Sequence, residues 1–273
     1  MRLRLLCPYR IPFRSAVRFR GPVRGSGGSK EQRRTRLFGY GHGMTSVAPG
    51  IDGPASSPAV HVLRVSEQAA ATRVPGALAA LSEEERERAA AFVRPVDRDR
   101  YLVAHLALRR ELGALLGLEP AEVRLARADC PVCEGPHGRP IVPGNPVHFS
   151  LSHAGDVVLL AFAAVPVGAD VEEFPSAGTA RETMTALHPR EQAELAAVAD
   201  TAALPSVFAR CWTRKEAYLK GTGTGLGEDP SITYVSALED PAPVPGWRLA
   251  DLPAPPGYAA ASALRQLTAH EVG

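Results

Sequence analysis

Asp170 and Glu172 stand two residues apart in the run Val167-Gly-Ala-Asp-Val-Glu172. Side chains alternate along a β-strand, so both carboxylates leave one face while Ala169 and Val171 turn to the other. Paired hard oxygen donors suit Mg²⁺, which takes carboxylates, waters and substrate phosphates; Mn²⁺ fits the same donors. An acidic strand end in solvent, with Glu173 beside it, is the plainer alternative. A second constellation lies in Trp212-Thr-Arg-Lys-Glu-Ala-Tyr-Leu-Lys220, where Trp212, Glu216 and Lys220 share a face at helical spacing. A glutamate four residues before a lysine is an ordinary surface pair worth about 0.2–0.5 kcal/mol. Composition speaks against that reading. The chain uses 28 arginines and three lysines, and only Lys215 and Lys220 lie beyond residue 30. Where every other basic position is arginine, a retained ammonium points to a compact charge for phosphate or for proton transfer.

Gly138-Arg139-Pro140 and His148-Phe-Ser-Leu-Ser152-His153-Ala-Gly155 form a third group. Ser152 and His153, leaving a strand before a glycine turn, can hold a phosphate, or can be a turn former and a solvated histidine. A serine nucleophile is disfavoured, since no glycine-flanked elbow surrounds Ser150 or Ser152. Gly221, Gly223, Gly225 and Gly227 follow the lysines, whereas the lysine of a phosphate-binding P-loop follows its glycines; helix termination and a tight loop account for them. Cys130, Cys133 and His137 have the spacing of half a zinc knuckle, but no second pair stands at ligand spacing, so zinc and reduced loop thiols both remain open.

These residues need elements to position them. The sequence predicts strands over 60–65, 147–151, 157–164 and 167–172, with the second and third paired. It predicts helices over 82–93, from Asp97 or Asp99 to Leu116, and over 179–187, 189–199 and 207–220. Ser82 and Glu85 make a capping arrangement, and Gly117 and Pro120 stop the long helix, whose core side is read as Tyr101, Leu102, His105, Leu106, Leu108, Leu112, Leu115 and Leu116. A loop is expected over 129–145 and a terminal strand pair over 247–252 and 258–264. Strands alternating with helices in two stretches of similar length indicate an α+β (or α/β) chain, with no sequence repeat. At 273 residues and 45% hydrophobic, the chain can bury a core without disulfide staples, and it has no apolar run of membrane-spanning length. Four scattered cysteines suit a reducing cytoplasm.

The net charge of +2 hides an asymmetry: residues 1–43 carry ten arginines, one lysine and one glutamate, so the remaining 230 residues sum to −8. An acidic body is a poor nucleic-acid binder. The basic segment reads as an extension outside the folded unit, with Met44 as the start, or alternatively as a transit peptide or nucleic-acid arm. Domains are therefore drawn as 1–58 extension and linker, 59–165 first lobe and 166–273 second lobe.

Taken in order, Gly138-Arg-Pro, Phe149-Ser-Leu-Ser-His153, Val167-Gly-Ala-Asp-Val-Glu172 and Trp212-Thr-Arg-Lys-Glu-Ala-Tyr-Leu-Lys220 with Gly-x-Gly-x-Gly-Leu226 resemble the 4′-phosphopantetheinyl transferases of the surfactin-synthetase-activating type, over about residues 60–265. The resemblance implies a monomeric pseudo-dimer of two similar α+β lobes with coenzyme A in the cleft between them. It implies transfer of phosphopantetheine to a serine of an acyl or peptidyl carrier protein, releasing adenosine 3′,5′-bisphosphate, in secondary-metabolite pathways; the acidic body and the lack of a membrane-spanning run argue against nucleic-acid and membrane partners. On this likeness Asp170, Glu172 and Glu216 hold Mg²⁺, and Glu216, Glu172 and Lys220 are catalytic. Arg88, Arg100, Gly138, Arg139, Pro140, Ser152, His153, Lys215 and Lys220 bind coenzyme A. One departure is visible: where the family often places coenzyme-A-contacting lysines on the helix over 82–93, this chain has Glu85 and Arg88. A non-catalytic coenzyme-A or carrier binder, and a metal-dependent phosphate-ester hydrolase, are the alternatives.

Overall fold

The computed structural model describes residues 57–267; the basic extension, most of the linker and Cys7 lie outside them. In the first part of the chain come strand β1 (Ala59–Arg64), the single turn α1 (Val65–Gln68), helices α2 (Glu83–Ala90) and α3 (Pro95–Leu116), and a small hairpin of β2 (Ala126–Arg127) with β3 (Pro140–Ile141). Strands β4 (His148–Ala154) and β5 (Val157–Ala163) complete it. The second part runs β6 (Val167–Glu173), α4 (Ala177–Thr183), α5 (Pro189–Ala196), α6 (Leu204–Thr222), β7 (Trp247–Leu252) and β8 (Tyr258–Arg265).

The two parts repeat one topology. Each has an antiparallel sheet made by a strand, a helical excursion and a hairpin, and in each the last strand sits in the middle: β1-β5-β4 and β6-β8-β7. The long helix of each part covers one sheet face. Val103, Ala104, Ala107, Leu108 and Leu112 of α3 meet Phe149, Leu151, Val158, Leu160 and Phe162, while Phe208, Trp212 and Ala217 of α6 meet Leu249, Ala261 and Ala263. The remaining faces close on each other, with Leu159 and Ala161 of β5 against Val167, Ala169 and Val171 of β6. This explains why β5 is buried at every position and reads as an unbroken apolar run.

Along the junction β4 and β6 lie side by side without a backbone ladder. The Ala169 N–H donates to Ser150 Oγ at 2.9 Å and the Val171 N–H reaches Ser152 Oγ at 3.4 Å. Serine hydroxyls do the work of strand pairing here, so the edge is satisfied while the sheets diverge. Outside it, the Tyr258 hydroxyl donates to Glu173 Oε1 at 3.0 Å and accepts the Asp156 N–H at 3.0 Å, clipping the two parts together.

Several boundaries differ from the sequence reading. The long helix starts at Pro95 rather than at an aspartate, because proline at a first helical position loses no hydrogen bond and has the right φ. Its buried stripe includes Val103, Ala104 and Ala107, whereas Leu115 is 40% exposed; small residues let the helix lie close to the sheet. The stretch 179–187 is helix α4, started by Ser176 as N-cap, followed by a 3₁₀ turn at Met184–Ala186. The expected loop 129–145 contains β3, whose two residues are too short a strand to show periodicity.

Candidate active site

Strand alternation on β6 sends Val167, Ala169 and Val171 into the core between the lobes, and turns Gly168, Asp170 and Glu172 towards α6. The helix can approach because of glycine. A Cβ on Gly168 would collide with the Ala217 carbonyl and the Gly221 backbone nitrogen, and one on Gly221 would meet the Trp247 ring at 2.7 Å. This close seat brings Glu216 and Lys220, one turn apart on α6, over the acids of β6. Gly223 then ends the helix with φ +83°, a left-handed cap that side chains disfavour.

The result is a cavity walled by Asp170, Glu172, Trp212, Glu216 and Lys220 from the second lobe and by Ser150, Ser152 and His153 of β4 from the first. The hairpin residues Gly138, Arg139 and Pro140 and the turn Gly223–Gly227 close its remaining sides. Lys220 Nζ lies 2.5 Å from Asp170 Oδ1 and 3.0 Å from Ser152 Oγ, and that hydroxyl donates to the same carboxylate oxygen at 2.7 Å. Ser152 is thus spent on orienting Asp170 and Lys220. Asp170 is 2% exposed and its second oxygen, Oδ2, has no hydrogen-bond partner. A buried carboxylate oxygen without a donor is costly and suits a cation facing it.

The electrostatics point the same way. Burial, reinforced by the negative charge of Asp170, pushes the Glu216 carboxyl up to about 7. Burial, then Asp170, raises Glu172 well above the ordinary carboxylate range, with Glu216 and Glu173 adding to the repulsion. Burial works against the charge of Lys220, but Asp170, Glu216 and Glu172 outweigh it and keep the ammonium protonated. One ammonium thus faces three carboxyls. Those carboxyls are not drawn into a closed three-oxygen cage: among the described residues, the trio of cysteine, histidine or acid ligand atoms lying within 4.8 Å of one another is Cys130, Cys133 and His137. The three carboxyls repel one another, and Lys220 occupies Asp170. The donor set, the orphaned Oδ2 and the raised carboxyls fit a hard divalent cation.

The other expected ligands are divided. Arg139 lines the cavity, and its Nη1 donates to the Gly221 carbonyl at 2.9 Å, bridging the lobes. His153 lies in the wall, and burial, with Arg100 and Lys220 near it, lowers its pKa to about 4, so the imidazole is neutral. Arg100 is outside the cavity wall, donating to the Gly155 carbonyl at 2.7 Å and to Asp97. Arg88 is exposed, 5.9 Å from the Phe92 ring, and does not reach the cavity. Lys215 is 1% exposed and away from the cavity; its Nζ donates to Glu191 Oε1 at 3.0 Å and to the Thr233 carbonyl. Glu85 is explained by folding: its carboxylate takes Arg109 Nε at 2.6 Å and His105 Nδ1 at 3.0 Å and caps α2 through the Ser82 N–H. Arg127, Cys130, His137, Thr224 and Leu226 also line the cavity; the sequence singles out Cys130 and His137 for metal-ligand spacing alone, and nothing in it places them or Arg127 against this cleft.

Comparison with known proteins bears on this cleft directly. A family model described as the 4′-phosphopantetheinyl transferase superfamily matches residues 166–262, and one described as the N-terminal part of a 4′-phosphopantetheinyl transferase matches 68–165. The 4′-phosphopantetheinyl transferase HetI of Nostoc sp. is 30% identical over 202 residues, covering 71% of this chain and 82% of that protein. The chain belongs to the 4′-phosphopantetheinyl transferase superfamily. A 4′-phosphopantetheinyl transferase of Bacillus subtilis is 29% identical over 150 residues, 55% of this chain and 63% of that protein. A phosphopantetheinyl transferase of Thraustochytrium sp. is 33% identical over 165 residues, 55% of this chain and 54% of that protein. As a member of this superfamily the chain is a two-lobed α+β protein, and the wall between its lobes is where β4, β6 and α6 bring their polar residues together. Among the described residues, no helix is long and apolar enough to cross a membrane.

Proposed function

We propose that this phosphopantetheinyl transferase superfamily member moves the 4′-phosphopantetheine arm of coenzyme A onto a serine hydroxyl of an apo acyl or peptidyl carrier protein, leaving adenosine 3′,5′-bisphosphate. The observation that carries the reading is the single cavity in which Asp170, Glu172 and Glu216 face Lys220 and Arg139. Asp170, Glu172 and Glu216 would hold Mg²⁺, or Mn²⁺ in its place. Bound there, the cation would neutralise pyrophosphate oxygens and the charge that grows on the leaving bisphosphate. Transfer of this kind asks a protein chiefly for positioning and charge compensation. Lys220 and Arg139 supply fixed positive charge on the phosphates. Glu216 accepts the proton of the carrier serine, directly or through one water, and Ser152 keeps Asp170 and Lys220 in register. His153, neutral and half-buried, offers a hydrogen bond without adding charge.

The enzyme is taken as a cytoplasmic monomer, with lobes dividing at 165 and 166 and the 1–58 segment outside the catalytic unit. The test is mass spectrometry of a panel of apo carriers incubated with the full chain, coenzyme A and Mg²⁺. The expected result is a gain of one phosphopantetheine on at least one carrier. No gain on any acyl or peptidyl carrier, with coenzyme A bound, would favour the non-catalytic alternative. Free phosphopantetheine formed without a carrier would favour hydrolysis.

The raised carboxyls give a second expectation. Between the ordinary glutamate pKa of 4.5 and about 7, the cation-free folded protein holds a proton on Glu216 that the unfolded chain has released. Stability from that group is full below about 4.5 and is lost as pH rises through about 7. The metal-free protein should therefore melt lower at pH 8 than at pH 5.5, and millimolar Mg²⁺ should raise the melting temperature more at pH 8. Differential scanning calorimetry at both pH values decides it; an Mg²⁺ shift that is absent, or equal at the two, removes the proposed ion site.

A further inference from the structure

The hairpin that carries Gly138, Arg139 and Pro140 into the cavity wall is tied off by a tight turn. Ala128 donates to the Arg139 carbonyl at 3.0 Å and Gly138 to the Ala128 carbonyl at 2.8 Å. Beyond them Cys130 donates to Gly135 O at 2.8 Å and Glu134 to Cys130 O at 2.7 Å, with Glu134 held at φ +60°. That strained, double-bonded turn folds Cys133 and His137 back towards Cys130. Cys133 Sγ lies 2.9 Å from His137 Nε2, and the ligand atoms of all three residues lie within 4.8 Å of one another. Gly135 leaves the space: a Cβ there would stand 2.9 Å from His137 Cδ2 and 3.5 Å from Cys133 Sγ.

Two sulfurs and one imidazole nitrogen at one point, with no oxygen donor among them, are chemically opposite to the carboxylates of the main site. Soft and borderline donors of this kind select Zn²⁺ over Mg²⁺. Tetrahedral ligation at ordinary Zn–S and Zn–N lengths separates sulfur from nitrogen by about 3.5 Å, so the 2.9 Å contact needs to open only by a fraction of an ångström. We propose that Cys130, Cys133 and His137 bind one Zn²⁺ through two thiolates and one imidazole, with a fourth position left to water. Cys130 and His137 both line the cavity, so the ion would sit at its edge and fix the turn that presents Arg139. Uptake releases the two thiol protons to solvent, since only thiolates ligate. The proposal stands independently of the transferase reading.

The test uses the full chain without a polyhistidine tag, purified under reducing conditions without chelator. Elemental mass spectrometry should find one zinc per chain, and Cys133→Ser and His137→Ala should each drop the content to background. Glu216→Gln, altered only in the carboxylate site, should retain it. Replacement by Co²⁺ should give a thiolate-to-metal charge-transfer absorption that Cys133→Ser lacks. A reduced, folded wild-type protein that takes up no added Zn²⁺ overturns the proposal. So does zinc that persists in the Cys133→Ser/His137→Ala double variant, or a reduced protein that, offered Zn²⁺ in air, is oxidised by O₂ to a Cys130–Cys133 disulfide and holds no metal.

Discussion

Glu216→Gln is expected to lower kcat by about 10³-fold, within the 10²–10⁴ range for loss of a general base, and to lower kcat/KM by a similar factor. Gln keeps the size of the side chain and its place on α6, but cannot take the serine proton and is a poor ligand for a hard cation. The fold should be unharmed, and physical reasoning says why. Burial and Asp170 already hold the Glu216 carboxyl up to about 7, so near neutrality the cation-free protein has this group half protonated. A neutral amide relieves the repulsion with Asp170 and Glu172, and the metal-free variant should melt no lower than the wild type at pH 8. Steady-state kinetics on a carrier protein, with calorimetry on the same preparation, measures both halves. Turnover above about a tenth of wild type would show that Glu216 is not the central carboxylate; a lower melting temperature would show that its contacts are structural.

The sequence carried much of this cleft because its polar residues obey short-range periodicities. Asp170 and Glu172 alternate with Val171, and the structure puts them on one side of β6 and Val171 on the other. Glu216 and Lys220 differ by four and emerge together from α6. What stayed hidden depends on long-range assembly. The shared topology of the two lobes has no sequence repeat, since alternation and a turn are all that a hairpin asks and many residue choices satisfy both. Glu85 gave no sign that it would be claimed by Arg109, 24 residues on. The wall provided by Arg127, Cys130 and His137 comes from a hairpin of two-residue strands, below the length at which pattern is readable. Position along the chain suggests Arg88 and Arg100, whereas their reach is decided by how α3 seats on the sheet and α2 on α3.

Lys215 is the sharpest of these cases. It stands one residue before Glu216, which on a helix is a rotation of about 100°. That rotation takes it off the cavity and into the second lobe, where Glu191 Oε1 receives both its ammonium at 3.0 Å and the Val235 N–H at 2.6 Å. Both partners are essentially sealed, at 1% and 0% exposure. Next to it Arg214, fully buried, donates to Asp251 and to the carbonyls of Ser236, Leu238 and Glu239. The two cations together fasten the loop after α6 to its helix. Lys215→Ala leaves the Glu191 carboxylate buried without its counter-charge, and should destabilise the protein by about 3–5 kcal/mol, seen as a lower urea midpoint at unchanged slope. Molecules that remain folded in the cold should keep near wild-type kcat, because the ammonium never faced the cavity. Adding Glu191→Gln should recover part of the lost stability by removing the stranded charge. Lys215→Arg should also destabilise, since a closed space fitted to an ammonium has no room for a planar fork. This is the physical reason for lysine at 215 in an arginine-rich chain, and it differs from the reason at 220, where the ammonium serves the carboxylates of the cleft. A Lys215→Ala protein as stable as wild type would break the argument, as would full stability with turnover lost.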